Sequence, residues 1–145
     1  MTRPEEFRHR LRVYWEDTDA GGVVFYANYL KFFERARTEW LRHAGFAQEQ
    51  LRTGRGVMFV VAETQVRYLM PARLDDELDV SVLPRASGRV GMNLAQQAWR
   101  VGQGGAPALV AEGRIRIACV DAGTFRPCRI PIDLLDGLSA LSAAS

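Results

Sequence analysis

Two aspartates and two glycines precede an aromatic-rich segment in the stretch EDTDAGGVVFYANYLKFFERARTEWL, residues 16–41. One interpretation makes Asp17 and Asp19 turn residues, because acids and glycines favour turns and acids stabilise helix N-termini. The other interpretation is chemical. A carboxylate held beside free backbone N–H groups provides the two parts of an acyl-transfer site, a base or nucleophile and a donor for the developing oxyanion.

The segment after the two glycines is predicted to be a helix from about Tyr26 to Ala44, since its apolar residues recur at three- and four-residue spacing. No Ser, Thr or Asp directly precedes Tyr26, so the first N–H groups have no obvious side-chain cap. Asn28 would provide one if the helix started two residues later. We expect Asp19 to face these N–H groups across the glycine turn. It is therefore a candidate nucleophile, or a candidate base for a water molecule.

Five other runs show the two-residue alternation that is typical of strands, with glycine and proline at the turns between them. They lie at 7–15, 60–68, 78–83, 90–100 and 109–119. The loop 102–105 is glycine-rich and favours a hairpin, and residues 132–138 favour a weak helix. One early helix with short-connected strands predicts an α+β fold, an antiparallel sheet curled around the helix. Its uncovered sheet edges favour a homo-oligomer, either a dimer or a tetramer.

Composition narrows the class of protein. A chain of 145 residues without repeats or linkers is predicted to form one domain, and a net charge of +2 does not indicate nucleic-acid binding. Lys31 is the only lysine, so every other basic residue of the Lys/Arg type is arginine. This preference reflects either codon usage or a need for arginines that bind phosphates. Cys119 and Cys128 lack metal-ligand spacing. Neither a signal peptide nor a membrane-spanning run is recognisable, so a cytoplasmic protein is expected. The cysteine spacing predicts that it binds no metal.

Three stretches of the chain resemble the hotdog-fold acyl-CoA thioesterases, the group that contains 4-hydroxybenzoyl-CoA thioesterase and the tol–pal-associated acyl-CoA thioesterases. They are RVYWEDTDAGGVVFYANYLKFFERARTEWLR (12–42), RYLMPARLDDELDV (67–80) and RIRIACVDAGTFRPCRIP (114–131), the last closer to the tol–pal branch. The resemblance covers nearly the whole chain. It implies one hotdog domain over residues 1–145, with a five-stranded antiparallel sheet wrapped around one long helix. It also implies hydrolysis of acyl-CoA thioesters to free acid and coenzyme A without a separate cofactor.

The resemblance also implies roles for particular residues. The catalytic carboxylate falls on Asp19, and the backbone N–H that polarises the thioester carbonyl falls on Tyr26. Asp17 and Gly22 are then supporting residues, Asp17 through bonds to the backbone of its turn. The tol–pal-associated members carry a histidine where this chain has Tyr26, and the segment 25–29 is closer to the 4-hydroxybenzoyl-CoA thioesterase pattern. The backbone role transfers, because any residue but proline supplies an N–H, whereas a histidine role and the choice of acyl group do not.

Further residues are candidates for an alternative catalytic role or for substrate binding. Glu34 on the helix and Glu63 on a strand are the alternative catalytic acids, Glu63 acting from a partner chain. Arginines in loops or near the C-terminus are candidates for the coenzyme A phosphates, since a planar guanidinium matches phosphate oxygens. They are Arg73, Arg89, Arg126 and Arg129.

Two other functions stay open at this level. The chain is compatible with a non-catalytic acyl-carrier or envelope-complex binding module, for which acyl carrier protein is the candidate partner. It is also compatible with a hotdog dehydratase or isomerase. His9 and His43 are the only histidines, and neither lies beside an acid in a pocket-forming segment, which disfavours the dehydratase. Nucleophilic and general-base roles for Asp19 both remain open.

Overall fold

The structure, a computed structural model, describes residues 6–102 and 104–143. A short 3-10 turn over Trp15–Asp17 follows the first strand, and a wide helical turn over Leu51–Arg55 follows the second helix. The other elements, in chain order, are β1 (Phe7–Arg12), α1 (Asn28–His43), the single turn α2 (Gln48–Gln50), β2 (Val57–Tyr68), β3 (Glu77–Ser87), β4 (Gly91–Val101), β5 (Ala108–Asp121) and α3 (Ile132–Ala143).

The five described strands form one antiparallel sheet in the order β1-β3-β4-β5-β2. Alternation along β5 shows its two faces: Ile115 and Ile117 are buried on the inner face, and Arg114 and Arg116 are exposed on the outer face. The predicted α+β architecture, an antiparallel five-stranded sheet around a helix, is therefore confirmed. β1 and β2 lie at the two edges, with one flank of each unpaired among the described residues.

The long helix α1 packs against the inner face of the sheet. Its residues Phe32, Phe33, Ala36 and Trp40 are 0–1 % exposed. Close approach depends on Gly113 of β5, because a Cβ atom there would lie 3.0 Å from the Phe33 ring. Large aromatic side chains on the helix thus oppose a position without a side chain on the sheet, which brings the two layers into direct contact.

A buried amide joins the helix to the sheet at the centre of the domain. Gln96 of β4 is 0 % exposed, and its Nε2 donates to the carbonyl oxygens of Phe33 at 3.1 Å and Ser81 at 3.3 Å. Its Oε1 accepts a hydrogen bond of 2.9 Å from Nη1 of Arg37. Burial lowers the pKa of Arg37 below its ordinary value. This network was not predicted, because a single polar residue in an imperfectly alternating run carries no sign of burial.

Element ends differ from prediction where side chains or turns intervene. β1 ends at Arg12 instead of residue 15, because the chain turns there and the Asp17 N–H donates to the Tyr14 carbonyl at 3.0 Å. The helix starts at Asn28, two residues later than predicted, and no side chain caps it. β2 starts at Val57 rather than at 60, and α3 continues to residue 143. Residue 103 of the predicted glycine-rich loop lies outside the described residues.

Candidate active site

Asp17 ends the 3-10 turn, and Asp19 belongs to the tight hairpin that connects this turn to α1. Thr18 pairs with Val24, the Asp19 N–H donates to the Val23 carbonyl at 2.9 Å, and the Gly22 N–H donates to the Asp19 carbonyl at 3.0 Å. Gly22 has a φ of 77°, a conformation that residues with a Cβ rarely adopt. The hairpin therefore requires glycine at this position, as the supporting role predicted for Gly22 would need.

Asp19 lies at the tip of this hairpin and is exposed. Its Oδ1 accepts the Gly21 N–H at 2.8 Å, and a Cβ atom on Gly21 would lie 3.2 Å from that oxygen. Within the described ranges no donor bonds to its Oδ2. One oxygen is thus oriented by the turn, and the other is available to a substrate or to water.

The start of α1 presents unpaired backbone donors. The Asn28 N–H donates to the Phe25 carbonyl at 2.8 Å, which forms a tight first turn. The N–H groups of Tyr26, Ala27 and Tyr29 have no acceptor within the part of the chain that the structure describes. Free N–H groups and the helix dipole together favour a negative oxygen at this end. The Asp19 carboxylate thus lies at the tip of the hairpin, and the predicted Tyr26 donor lies where the hairpin leads into α1.

Asp17 is buried below this hairpin, at 4 % exposed. Its Oδ2 accepts the Tyr14 N–H at 2.8 Å, and its Oδ1 accepts Nδ2 of Asn28 at 2.7 Å. Its carbonyl oxygen also accepts the Phe25 N–H at 2.9 Å. Asp17 therefore does more than close its own turn, because it ties the 3-10 turn to the first residue of α1. The Asn28 contact joins residues 11 apart in sequence, and the sequence pattern gave no sign of it.

Aromatic side chains border the free N–H groups. Tyr26 is 64 % exposed and meets Tyr68 of β2 edge-on at a centroid distance of 6.2 Å, while Tyr29 lies 5.5 Å from the same ring. Burial raises the pKa of Tyr29 and of Tyr68. These phenols are therefore protonated at neutral pH and do not act as bases. They present a largely apolar surface beside the donors.

One of the four predicted arginines lies beside the hairpin. Arg73 pairs with Val23 in an isolated bridge, and its N–H donates to Oδ2 of Asp76 at 2.8 Å. Asp76 is 8 % exposed, and Asp75 before it has a φ of 72°. Asp76 therefore supports the backbone next to the catalytic candidate.

The other three arginines lie near the far end of β3. The carbonyl oxygen of Arg89 accepts the Ile130 N–H at 2.8 Å, which brings Arg89 next to Arg129. The Arg126 carbonyl accepts the Asp121 N–H at 2.8 Å in the same C-terminal segment. β3 separates this group from Arg73, and its 11 residues span about 36 Å. Within one chain the four arginines therefore do not form one phosphate site.

The two alternative catalytic acids, Glu34 and Glu63, lie on different elements, α1 and β2. Glu34 is exposed on α1. Glu63 pairs with Arg116 on the outer face of the sheet, where both line an open groove of about 1000 Å³ with Arg67 and Arg114. Asp19 is not among the groove residues, and the sheet lies between Glu63 and α1.

The two cysteines of the chain lie side by side as free thiols. Cys119 is 0 % exposed, as expected of a core residue, and its Sγ lies 3.6 Å from Sγ of Cys128. Burial and the neighbouring thiol raise the pKa of Cys119 to about 12, so it is a poor nucleophile at neutral pH.

No cluster of three metal-binding side chains occurs in residues 6–102 and 104–143. None of the described helices is long and apolar enough to cross a membrane.

A five-stranded antiparallel sheet wrapped around one long helix is the architecture of the hotdog class of α+β domain. The chain belongs to the thioesterase-like superfamily, whose family model matches residues 13–138. The family predicted from the sequence is thereby confirmed, as is the general class of enzyme, a thioester hydrolase.

Relatives cover most of this chain. It is 41 % identical over 125 residues to acyl-CoA thioester hydrolase YbgC of Escherichia coli O6:H1, with 86 % of this chain and 90 % of the relative covered. The acyl-CoA thioesterase YbgC of Haemophilus influenzae is 38 % identical, with 86 % and 88 % covered. A solved structure of a hypothetical protein from Thermus thermophilus is 30 % identical with a TM-score of 0.83, covering 94 % of this chain and 99 % of that one.

Proposed function

We propose that this protein hydrolyses acyl-CoA thioesters, with Asp19 as the catalytic carboxylate and the Tyr26 N–H as the oxyanion donor. The observation that carries the proposal is that one hairpin holds an exposed carboxylate at its tip and leads directly into unpartnered N–H groups at the start of α1. The names of the Escherichia and Haemophilus relatives support the substrate class. Coenzyme A enters as part of the substrate, so no separate cofactor is required.

The chemistry follows from the two groups. The thioester carbonyl oxygen accepts the Tyr26 N–H, and the partial positive charge of the α1 N-terminus stabilises the oxygen as it becomes negative. Asp19 either attacks the carbonyl carbon or removes a proton from the attacking water. The aromatic surface around Tyr26 and Tyr68 contacts the acyl group and excludes bulk water, which strengthens both interactions.

We further propose that the active form is a homo-oligomer whose site lies between two copies. β2 is an edge strand, and its inner-face residues Val61 and Tyr68 are 49 % and 47 % exposed. Exposed apolar side chains on an unpaired strand favour pairing with a second copy. A partner across β2 would complete the wall of the acyl site, and two such dimers would give the tetramer.

The decisive experiment compares wild type with Asp19→Asn on a panel of aliphatic and aromatic acyl-CoAs, with thiol release as the readout. The substitution retains size and hydrogen bonding but removes the charge. We expect hydrolysis by wild type and a loss of about a hundredfold or more in the variant, the scale of a missing acid–base or nucleophilic group. Asp136→Asn is the matched control, since Asp136 is exposed on α3 away from the hairpin.

The same panel separates the alternatives. Equal rates for wild type and Asp19→Asn would move the search to Glu34 and Glu63. Absence of thiol release from every acyl-CoA and from acyl carrier protein thioesters, together with tight binding of acyl carrier protein, would favour the non-catalytic binding module. Conversion of a hydroxyacyl or enoyl thioester without thiol release would instead establish a dehydratase or isomerase.

A further inference from the structure

Asn28, the first residue of α1, has an almost completely buried side chain. It is 7 % exposed, and its Nδ2 donates to Oδ1 of Asp17 at 2.7 Å. The other oxygen of Asp17 accepts the Tyr14 N–H at 2.8 Å, so both oxygens of that carboxylate act as acceptors. An amide nitrogen donates and an amide oxygen accepts. Asp17 therefore fixes the orientation of the Asn28 amide, with the amide nitrogen toward Asp17.

The amide oxygen of Asn28 is left as an acceptor without a donor. No donor in residues 6–102 or 104–143 bonds to it, and it is not among the enclosed side-chain atoms of that range that lack a partner, so this oxygen reaches solvent. Its partner must then come from outside the chain and must donate a proton. A thioester carbonyl has no proton to donate, whereas a water molecule has two.

Asp19 supplies a second acceptor on the same side of the hairpin. The intervening Thr18 has an extended backbone, with φ −104° and ψ 156°. Side chains two apart along extended backbone lie on one side, about 7 Å from each other. Asp17 contacts Asn28 on that side, and Oδ2 of Asp19 has no donor among the described residues.

We propose that Asn28 is a catalytic residue that holds the hydrolytic water, and that Asp17 is the positioning residue that turns the Asn28 oxygen toward it. The inference rests on the proposed function of Asp19. The water donates one O–H to Oδ1 of Asn28 and the other to Oδ2 of Asp19. One of its two lone pairs then faces the carbonyl carbon, which makes Asp19 a general base rather than a nucleophile.

The step balances without any further reactant. As the water oxygen bonds to the carbonyl carbon, Asp19 takes one proton and the carbonyl π electrons move to the oxygen that accepts the Tyr26 N–H. Collapse of this intermediate restores the C=O bond and breaks the C–S bond. The departing thiolate takes the proton from Asp19, and the hydrogen held by Asn28 leaves with the new carboxyl group.

Asp17→Asn tests the proposal because it reverses the Asn28 amide while keeping the number of hydrogen bonds. The new side chain uses its oxygen for Tyr14, so its Nδ2 faces Asn28, which must turn over to accept. A donor then replaces the acceptor that faces the water. We expect kcat to fall about tenfold or more and KM to change less than about threefold. A purely structural contact would leave both values unchanged, since the bonds are retained.

Exchanging the two side chains should restore the acceptor. In the Asp17→Asn, Asn28→Asp double variant, the new amide donates to the new carboxylate, whose second oxygen faces the water. We expect kcat to rise about threefold or more above that of Asp17→Asn, with the added negative charge near the oxyanion preventing full recovery. Ser81→Ala is the stability control, because Ser81 Oγ accepts the Gln97 N–H at 3.1 Å within the sheet, and its kcat should match wild type.

Two results would overturn the proposal: an Asp17→Asn variant within about twofold of the wild-type kcat, or an exchange variant no more active than Asp17→Asn. If circular dichroism shows that Asp17→Asn is unfolded, Asn28→Ala takes its place, and a wild-type kcat in that variant overturns the proposal equally. Failure of the proposed function itself would give a different experimental result. Wild type would then release no thiol, or Asp19→Asn would retain its activity.

Discussion

Asp17 and Asp19 have the same side chain and lie two residues apart, yet their surroundings give them different roles. Asp17 is 4 % exposed, and both of its carboxylate oxygens accept N–H donors. Asp19 is exposed, with only one oxygen bonded to the turn. A buried carboxylate with two donors stabilises local structure, whereas an exposed one with a free oxygen is available to a substrate. The difference follows from the hairpin, not from the residue type.

The arginine group at the far end of β3 gives a prediction at the residue scale. Arg129→Ala should raise the KM for acyl-CoA about tenfold, the scale of one charge-assisted hydrogen bond to phosphate, with kcat little changed. It should leave unchanged the KM for the matching acyl-N-acetylcysteamine thioester, which lacks the nucleotide. Steady-state kinetics with both substrates separates phosphate binding from a general loss of activity.

Arg73→Ala is the comparison for this test. Because Arg73 lies beside the hairpin and not with Arg89, Arg126 and Arg129, its effect identifies which end of the domain holds the nucleotide. An equal rise in KM for both substrates in Arg129→Ala would contradict phosphate binding by that residue. A rise confined to acyl-CoA in Arg73→Ala alone would assign the phosphate site to the hairpin end.

At the scale of elements, one ion pair ties α3 to the turn after α2. Nη1 and Nη2 of Arg55 donate to the two oxygens of Asp133 at 2.8 Å each. The Arg55 guanidinium lowers the pKa of Asp133 to about 2 from an ordinary value of 3.8. A carboxyl group with a depressed folded-state pKa stabilises the fold at pH values above its unfolded pKa. That contribution is lost as the pH falls through the folded value.

We therefore expect Arg55→Met to lower the melting temperature by a constant amount above about pH 5, and by less and less as the pH falls from about 4 toward 2. Thermal unfolding in buffers across this range measures the difference from wild type. Both side chains are largely exposed, so added salt should also reduce it. Arg35→Met is the control, because Arg35 is exposed on α1 and forms no ion pair with the acids that the structure describes. A pH-independent difference would contradict the assignment to Asp133.

Strand and helix positions could be predicted because alternation and helical spacing are local properties of the sequence. The order β1-β3-β4-β5-β2 could not, because β2 pairs with β5 across some fifty residues and local patterns do not encode such partners. The candidate acid and the helix start followed from local spacing and from the family resemblance. The Asp17–Asn28 contact and the buried Gln96 required the three-dimensional packing, since each depends on residues from separate segments.

At the scale of the whole molecule, α1 covers most of the inner face of the sheet but leaves the β2 edge open. Val61 and Tyr68 pair with the buried Ile117 and Ala111 of β5, so they share the inner face, yet they are 49 % and 47 % exposed. The aromatic surface beside the Tyr26 N–H extends onto this open strip. The catalytic candidates of one chain therefore lie next to an exposed apolar strip.

Placing a charge on this strip should separate assembly from folding. Val61→Glu is expected to shift the protein to a monomer, measured by light scattering after size exclusion, because a buried unpaired carboxylate opposes association. Since Val61 is half-exposed in one chain, circular dichroism should remain that of wild type. Thiol release per chain should fall with the oligomer, because the acyl site loses the wall that the second copy supplies. Gln50→Glu, which adds the same charge at an exposed position of α2, should change neither property. A fully active monomer would show that one chain builds the whole site, and an unchanged oligomer would place the interface away from the β2 edge.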